Sequence, residues 1–422
     1  MSICLTSVED VIPTPGLPKI KEVRAFVSRA TEYGASDMHD TADTHWIQGL
    51  PAADGSWDHK KTHPPITNPM SRYPKYSGSR SSWGVANVPS VIVEIEDENG
   101  LVGIGTSTGG EAAAFIIENH LALFVEGQNV RERAYLWEQM WRASIHYSRK
   151  GLAVHAISAV DIALWDLYGK TLNEPVYNLM GGRTKQRIPV YATGSRPDFA
   201  KEMGFHGAKV PLPYGPSAGE KGLSQNVAFI KDWREKVGPD FPLMLDCYMA
   251  LDVEYAAKLA QRLEPYHLKW IEEPLMPDEY AGHAKLAKKL AGQGCSAYFA
   301  TGEHEYTRFG YEQIIEKGAM DIIQPDLRRC GGLSEGRRIC SLALAAGITV
   351  IPHAYGPTHI HFALAETAIP MIEYFPLPCW DAMPDAEVEA IFHDEPQPVN
   401  GRVNAPDKPG LGVTVNENIF ND

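Results

Sequence analysis

PLMLDC (residues 242–247), LKWIEEP (268–274) and YFATGE (298–303) are short apolar runs, and each carries an acidic residue at its end. These acidic residues are Asp246, Glu272 and Glu303. Consecutive members lie roughly 25 to 30 residues apart, the length of one strand-plus-helix repeat in a (β/α)8 barrel. Because the carboxyl ends of parallel strands meet at the mouth of such a barrel, the three carboxylates are expected to converge there.

A convergence of three carboxylates requires a cation. Without one, the three groups would repel one another and raise each other's pKa values. Oxygen ligands, with no Cys or His in the matching strand-end positions, favour a hard ion, and we predict a Mg2+ site. Taken singly, each acid could equally be a surface or capping residue. The common register of Asp246, Glu272 and Glu303 favours the metal site.

Two further strand-like runs continue the series. DIIQPDL (321–327) supplies Asp326, and TVIPHA (349–354) supplies His353. A carboxylate beside an imidazole fixes the tautomer of the ring and raises its basicity, as a general base at neutral pH requires. We therefore predict that His353 is the general base and that Asp326 orients it. An isolated His after a strand is more often structural, and only the preceding series reverses that interpretation.

Composition is typical of one large globular enzyme. The 422 residues exceed a usual single core, which favours a barrel plus a smaller domain. A net charge of -14 argues against nucleic-acid partners and anionic membrane surfaces. The six cysteines show no paired spacing, which favours a reduced, cytoplasmic protein. No signal-like N-terminus is evident, and the longest apolar run is too short to cross a bilayer.

The pattern of residues 1–150 predicts a separate α+β domain. IKEVRAFVS, SVIVEIED and LVGIGTST alternate as strands, and Asn99-Gly100 predicts a hairpin turn between the last two. The stretch of about 34–82 has little periodicity, so a functional or disordered loop is expected there.

Residues 151–375 predict an α/β domain of the (β/α)8 type. An amphipathic segment, AISAVDIALWDLYGKTL, comes first, and eight apolar runs then alternate with helical patterns. Such alternation predicts parallel strands with right-handed crossovers. The eighth run ends near Glu373, and residues 376–422 are expected to return to the N-terminal domain.

The ordered set of strand-end residues resembles the mandelate racemase branch of the enolase superfamily. The resemblance rests on the acidic trio, on Gly302-Glu303, on Gln324-Pro325-Asp326 and on His353, and covers nearly the whole chain. It implies a modified TIM barrel with an N-terminal cap, and abstraction of a proton α to a carboxylate. The second negative charge formed on the substrate oxygens must be met by a preorganised cation, for which the family uses Mg2+.

The second strand departs from the racemase pattern. Racemases of this branch carry Lys-x-Lys there, the final Lys serving as a second base, whereas this chain reads Lys209-Val210-Pro211. Because proline cannot accept a proton, a syn elimination of water by His353 is favoured over proton transfer between two bases. Lys209 is placed to neutralise one substrate carboxylate oxygen, and Glu373 could hold the other if it is protonated.

Within the branch, the chain resembles dehydratases of acid sugars. By that resemblance, His39 and Arg80 in the long loop of the cap bind the distal hydroxyls and the carboxylate of an aldonate substrate. His304 lines the pocket only if the strand has ended at Glu303. The resemblance also implies a homo-oligomer built from dimers, with an octamer as one form. An epimerase or racemase of the same branch, and a non-catalytic metal-binding or assembly protein, remain as alternatives.

Overall fold

The computed structural model covers most of the chain in detail. The residues that it describes are 16–28, 66–73, 83, 88–376, 379 and 391–420. The N-terminal part is a three-stranded antiparallel sheet whose strands are β1 (Ile20–Val27), β2 (Ser90–Asp97) and β3 (Val102–Thr108). The predicted hairpin is confirmed, because β2 and β3 pair in register around Asn99-Gly100, where Gly100 has a φ of +83°.

In the described part of the chain, four α-helices accompany this sheet. They are α1 (Gly110–Ile116), α2 (Ala122–Val125), α3 (Arg133–Ser144) and α4 (Leu152–Leu172). Helix α4 crosses β3 so closely that a Cβ on Gly103 or Gly105 would collide with the backbone of α4. Glycine at these two positions therefore allows the helix to lie directly on the strand.

Helix α4 also packs against the second, larger core. Ala156, Ile157 and Leu167 belong to the capping core, whereas Ile162 and Trp165 belong to the barrel core. By length and composition α4 could cross a membrane, but 83% of its apolar window is buried inside the protein. Helix α4 is therefore a buried helix that joins the capping core to the barrel core.

The eight predicted barrel strands are all confirmed. A short helix α5 (Val176–Leu179) precedes them. The strands are β4 (Ile188–Thr193), β5 (Ala208–Pro211), β6 (Leu243–Asp246), β7 (Trp270–Glu272), β8 (Tyr298–Thr301), β9 (Ile322–Ile323), β10 (Thr349–Val350) and β11 (Ile372–Tyr374).

One α-helix lies between each pair of consecutive barrel strands. In chain order these are α6 (Pro197–Glu202), α7 (Gly219–Val237), α8 (Val253–Leu263), α9 (Tyr280–Ala291), α10 (Thr307–Glu316), α11 (Gly332–Ala346) and α12 (Pro357–Ala365). The strands pair in parallel from β4 to β10, and β11 pairs in parallel with β4. Within the described residues no ladder joins β10 to β11, so the barrel has one open seam.

The C-terminal segment packs against the start of the barrel. Its strand β12 (Arg402–Val403) pairs antiparallel with β4. Farther on, the Leu411 amide donates to Asp166 Oδ1 of α4 at 2.6 Å, and the Ile104 amide of the cap donates to Asp166 Oδ2 at 2.8 Å. A buried carboxylate on α4 therefore links the cap to the tail.

Candidate active site

The interior of the barrel is built in layers. The lower layer is apolar and consists of Tyr191, Met244, Trp270, Ala300, Ile322, Ile351 and Met371. Because side chains on a strand return to the same face at every second residue, the next inward position lies two residues later. These next positions are Thr193, Asp246, Glu272, Gly302, Gln324, His353 and Glu373. The alternation of the strands thus places a polar layer directly above an apolar floor.

Asp246 and Glu272 belong to this polar layer, and Glu303, the residue after Gly302, meets them there, as the spacing of the three predicted. One carboxylate oxygen of each lies within 4.8 Å of the others, and all three side chains are buried. Burial raises the pKa of Asp246 to about 6 and that of Glu272 to about 7, and it also raises the pKa of Glu303. Three buried acids that are costly to ionise together form a donor set of oxygens only, which fits Mg2+.

The Lys209 ammonium lies beneath this trio. It is 1% exposed and forms ion pairs with Glu272, with Asp246 Oδ2 at 3.2 Å and with Glu373 Oε1 at 2.9 Å. Burial acts to lower the pKa of Lys209, but these carboxylates hold it well above its usual value. The sequence predicted a partner for a substrate carboxylate, whereas the ammonium in this structure is already shared among three protein carboxylates.

His353 and Asp326 form the predicted pair. His353 Nδ1 lies 3.0 Å from Asp326 Oδ2, and both side chains are buried. Burial alone would raise the pKa of Asp326, but Arg329 and Arg328 hold it well below its usual range. An ionised carboxylate can only accept, so Nδ1 donates to Asp326, and Nε2 faces Glu303, 3.5 Å away. Burial would lower the pKa of His353, but Glu303 and Asp326 raise it to about 9.

The surroundings of Glu373 favour its ionised form, in contrast to the suggestion that it is protonated. Burial would raise the pKa of Glu373, but Lys209 and His353 lower it. The side chain accepts hydrogen bonds from Thr193 Oγ1 and from the Ala354 amide at 3.0 Å. Because its oxygens accept from three protein groups, Glu373 is an acceptor for Lys209 rather than a donor to a substrate.

His304 lies at the edge of the site. Its Nδ1 is 3.1 Å from Glu273 Oε2 and 3.4 Å from Glu303 Oε1, and the side chain is 27% exposed. Alternation along β7 would give Glu273 a helix residue as its partner, but its hydrogen bonds are to Thr301 of β8 and to the turn after that strand. Strand β7 ends at Glu272, and Glu273 adopts a φ of +43°, so its carboxylate turns toward Thr301, Gly302 and His304.

His39 and Arg80 lie outside the described residues. The described residue nearest to Arg80 in sequence is Trp83, whose ring meets that of Tyr248 edge-on at 5.3 Å. Tyr248 follows β6, and its amide donates to Asp246 Oδ1 at 3.0 Å. An aromatic side chain of the cap therefore reaches the rim of the acidic site.

Two supports of the site were not predicted. Glu272 Oε2 accepts from Trp270 Nε1 at 2.9 Å and from Gln324 Nε2 at 2.6 Å. Arg329 Nε lies 3.3 Å from Asp326 Oδ2, and the side chain is buried. The inward alternation of β7 and β9 could have revealed Trp270 and Gln324. Arg329 follows its strand, where alternation carries no information.

Two family models match the chain, one over the barrel and one over the cap. A model described as enolase C-terminal domain-like matches residues 197–419. A second model, the mandelate racemase / muconate lactonizing enzyme N-terminal domain, matches residues 72–181. The two matches span the cap and the barrel.

Individual proteins resemble the chain over nearly its full length. It is 43% identical over 406 residues to L-rhamnonate dehydratase of Saccharopolyspora erythraea, covering 95% of this chain and 97% of that protein. A crystal structure of rhamnonate dehydratase from Gibberella zeae complexed with Mg has a TM-score of 0.84 and 39% identity, covering 96% of each chain. A racemase from Streptomyces coelicolor A3(2) with bound magnesium has a TM-score of 0.72 and 26% identity, covering 94% of this chain and 97% of that one.

Proposed function

The chain belongs to the mandelate racemase / muconate lactonizing enzyme family of the enolase superfamily, and from this membership we propose that it is a Mg2+-dependent L-rhamnonate dehydratase. The dehydratase relatives are 43% and 39% identical to it, whereas the racemase is 26% identical. L-mannonate and L-lyxonate are alternative aldonate substrates. The family fold and the complete acid-base pair argue against a non-catalytic binding protein.

The observation that carries this proposal is an imidazole oriented by a buried carboxylate. His353 is held by Asp326 through Nδ1, so Nε2 is the nitrogen available to a substrate. Across the site, Pro211 ends β5 in register with Asp246 and offers no second base. This arrangement supports elimination on one face of the substrate rather than proton transfer between two faces.

The proposed reaction is a syn β-elimination. His353 Nε2 removes the C2 proton of L-rhamnonate and returns it to the departing C3 hydroxyl as water. The resulting enol becomes 2-keto-3-deoxy-L-rhamnonate. When Mg2+ is bound by Asp246, Glu272 and Glu303, it supplies positive charge to stabilise the developing enediolate. Asp326 keeps the imidazole in the required tautomer throughout.

The capping domain is proposed to complete the substrate site. Trp83 lies against Tyr248 at the rim, and Arg80 is three residues earlier in the chain. This proximity supports the proposal that Arg80 and His39 bind the substrate, with His304 at the edge of the same pocket.

We also propose that the protein is a cytoplasmic homo-oligomer. Its proposed domains are the cap, formed by residues 1–150, the barrel, formed by 151–375, and the tail, formed by 376–422.

Mass spectrometry of products tests the function. The protein is incubated with Mg2+ and, separately, with L-rhamnonate, L-mannonate and L-lyxonate, and a His353→Asn variant serves as the matched control. A product lighter than its substrate by one water, absent from the control, is expected. An unchanged mass with inverted C2 would instead identify an epimerase. The absence of either change with every aldonate would reject the proposed function.

A further inference from the structure

Four charged side chains form a closed ring around the general base. His353 Nδ1 lies 3.0 Å from Asp326 Oδ2, and Arg329 Nε lies 3.3 Å from the same oxygen. On the other side, His353 Nε2 lies 3.5 Å from Glu303 Oε2, and Arg329 Nη1 lies 3.9 Å from Glu303 Oε1. Two basic groups therefore alternate with two carboxylates.

The ring connects the two halves of the catalytic site. Asp326 orients the base, whereas Glu303 is one of the three carboxylates that would hold the metal. Arg329 is 9% exposed, so it is not a solvated surface arginine. Because the guanidinium is planar and presents several fixed donors, one arginine can serve both carboxylates in a way that a lysine cannot.

The loop that carries Arg329 is anchored on the capping side. The Arg329 amide donates to the Asp326 carbonyl at 2.9 Å, which closes a tight turn after β9. At the end of the loop, Trp137 Nε1 donates to the Gly331 carbonyl, and the Gly331 amide donates to Ser158 Oγ, both at 2.8 Å. Helices α3 and α4 thus fix the backbone from which the guanidinium projects.

We propose that Arg329 is a positioning residue that sets the separation between His353 and the metal ligand Glu303. This inference rests on the proposed function, because it concerns the distance from the base to a substrate bound at the metal. An error of about 1 Å in such a distance can reduce a rate about 10²-fold. Arg329 acts by holding Asp326 and Glu303 apart at fixed positions, and it does not itself touch the reacting atoms.

The test compares Arg329→Met with Arg338→Met. Arg338 lies on α11 and pairs with Glu335 at 2.8 Å, so it controls for the loss of an ion pair. For each protein, steady-state kinetics, exchange of the substrate C2 proton in deuterated water and the calorimetric Kd for Mg2+ alone are measured. Arg329→Lys is a second variant that keeps the charge.

We expect Arg329→Met to lower kcat about 10²-fold while KM changes less than about threefold. C2 exchange should fall in parallel. Mg2+ binding should not weaken, because a cation near Glu303 has been removed. Arg329→Lys should have an intermediate kcat, and millimolar guanidinium should restore part of the activity of Arg329→Met when sodium chloride does not. Arg338→Met should stay within about threefold of wild type.

Three results would overturn the inference. The first is a kcat of Arg329→Met within about threefold of wild type. The second is a loss of kcat in Arg338→Met equal to that in Arg329→Met. The third is weaker Mg2+ binding by Arg329→Met, with its kcat recovered in excess Mg2+. Failure of the proposed function is recognised separately, because wild type would then release no water from any aldonate. In that case the C2 exchange rates still report whether Arg329 positions the base.

Discussion

Replacing Lys209 by methionine would leave three buried carboxylates without their shared cation. Lys209 is 1% exposed and pairs with Asp246, Glu272 and Glu373. Methionine has a similar length, so the change removes the charge with little change in volume. Metal-free protein should therefore be destabilised.

The size of the effect follows from burial. Removing one partner of a buried ion pair costs about 3–5 kcal/mol, because it leaves an uncompensated charge. For a domain of about 150–250 residues, each kcal/mol corresponds to about 2–4 °C in Tm, so a fall of roughly 6–20 °C is expected in EDTA. Mg2+ should instead raise the Tm of the variant. It would no longer compete with an ammonium for Asp246 and Glu272, so the variant should bind it more tightly than wild type.

Differential scanning calorimetry of both proteins, in EDTA and in saturating Mg2+, measures both effects. At about 100 times its Kd, a ligand adds about 2.7 kcal/mol of stability, and the increment grows with affinity. The gain in Tm on adding Mg2+ should therefore be larger for Lys209→Met. A variant as stable as wild type in EDTA, or one with a smaller gain from Mg2+, would refute the assigned role of Lys209.

Glu272→Gln should weaken Mg2+ binding and abolish turnover while the protein stays folded. Calorimetric titration and circular dichroism check this, and full activity of that variant, or of wild type in excess EDTA, would remove the metal from the mechanism. His353→Asn should abolish dehydration, a loss of typically ~10²- to 10⁴-fold, together with exchange of the C2 proton, followed by proton NMR in deuterated water. Detectable exchange would reveal a second base. Burial raises the pKa of Asp246 from 3.8 to about 6 and that of Glu272 from 4.5 to about 7. The metal-free protein should therefore lose stability over the interval in which the pH rises from these ordinary values to the raised ones. Thermal melts in EDTA that are flat or rise across the interval would contradict those pKa values. Arg80→Ala should lower kcat/KM while stability changes by less than about 1 kcal/mol, and an unchanged kcat/KM would place Arg80 outside the substrate site.

The positions of the barrel strands and of the metal trio could be predicted from the sequence. The reason is geometric: the alternation of inward side chains is a property of each strand, and parallel strands end on one side of a barrel. Asp246 and Glu272 therefore needed only correct strand ends, whereas Glu303 is out of phase with the inward residues of β8 and follows Gly302, which has a φ of +129°. The His353–Asp326 pair followed by the same argument.

Features that depend on backbone turns, or on contacts between residues far apart in the sequence, were not predictable. Glu273 leaves its strand with a φ of +43°, so the period of two no longer applies to its side chain. The ion pairs of Lys209 depend on how three other strands converge. Arg329 acquires its partners through a turn after β9, and no local pattern encodes that turn.

Helix α4 limits how sequences of this type can be recombined. Its residues lie in the cores of both the cap and the barrel. Asp166 on α4 accepts hydrogen bonds from the amides of Ile104 in the cap and Leu411 in the C-terminal segment. A cap borrowed from a relative would have to match β3, where Gly103 and Gly105 admit the helix. The same helix would have to match the foreign barrel on its other face. Substrate preference in this architecture is therefore easier to alter by exchanging loops than by exchanging whole domains.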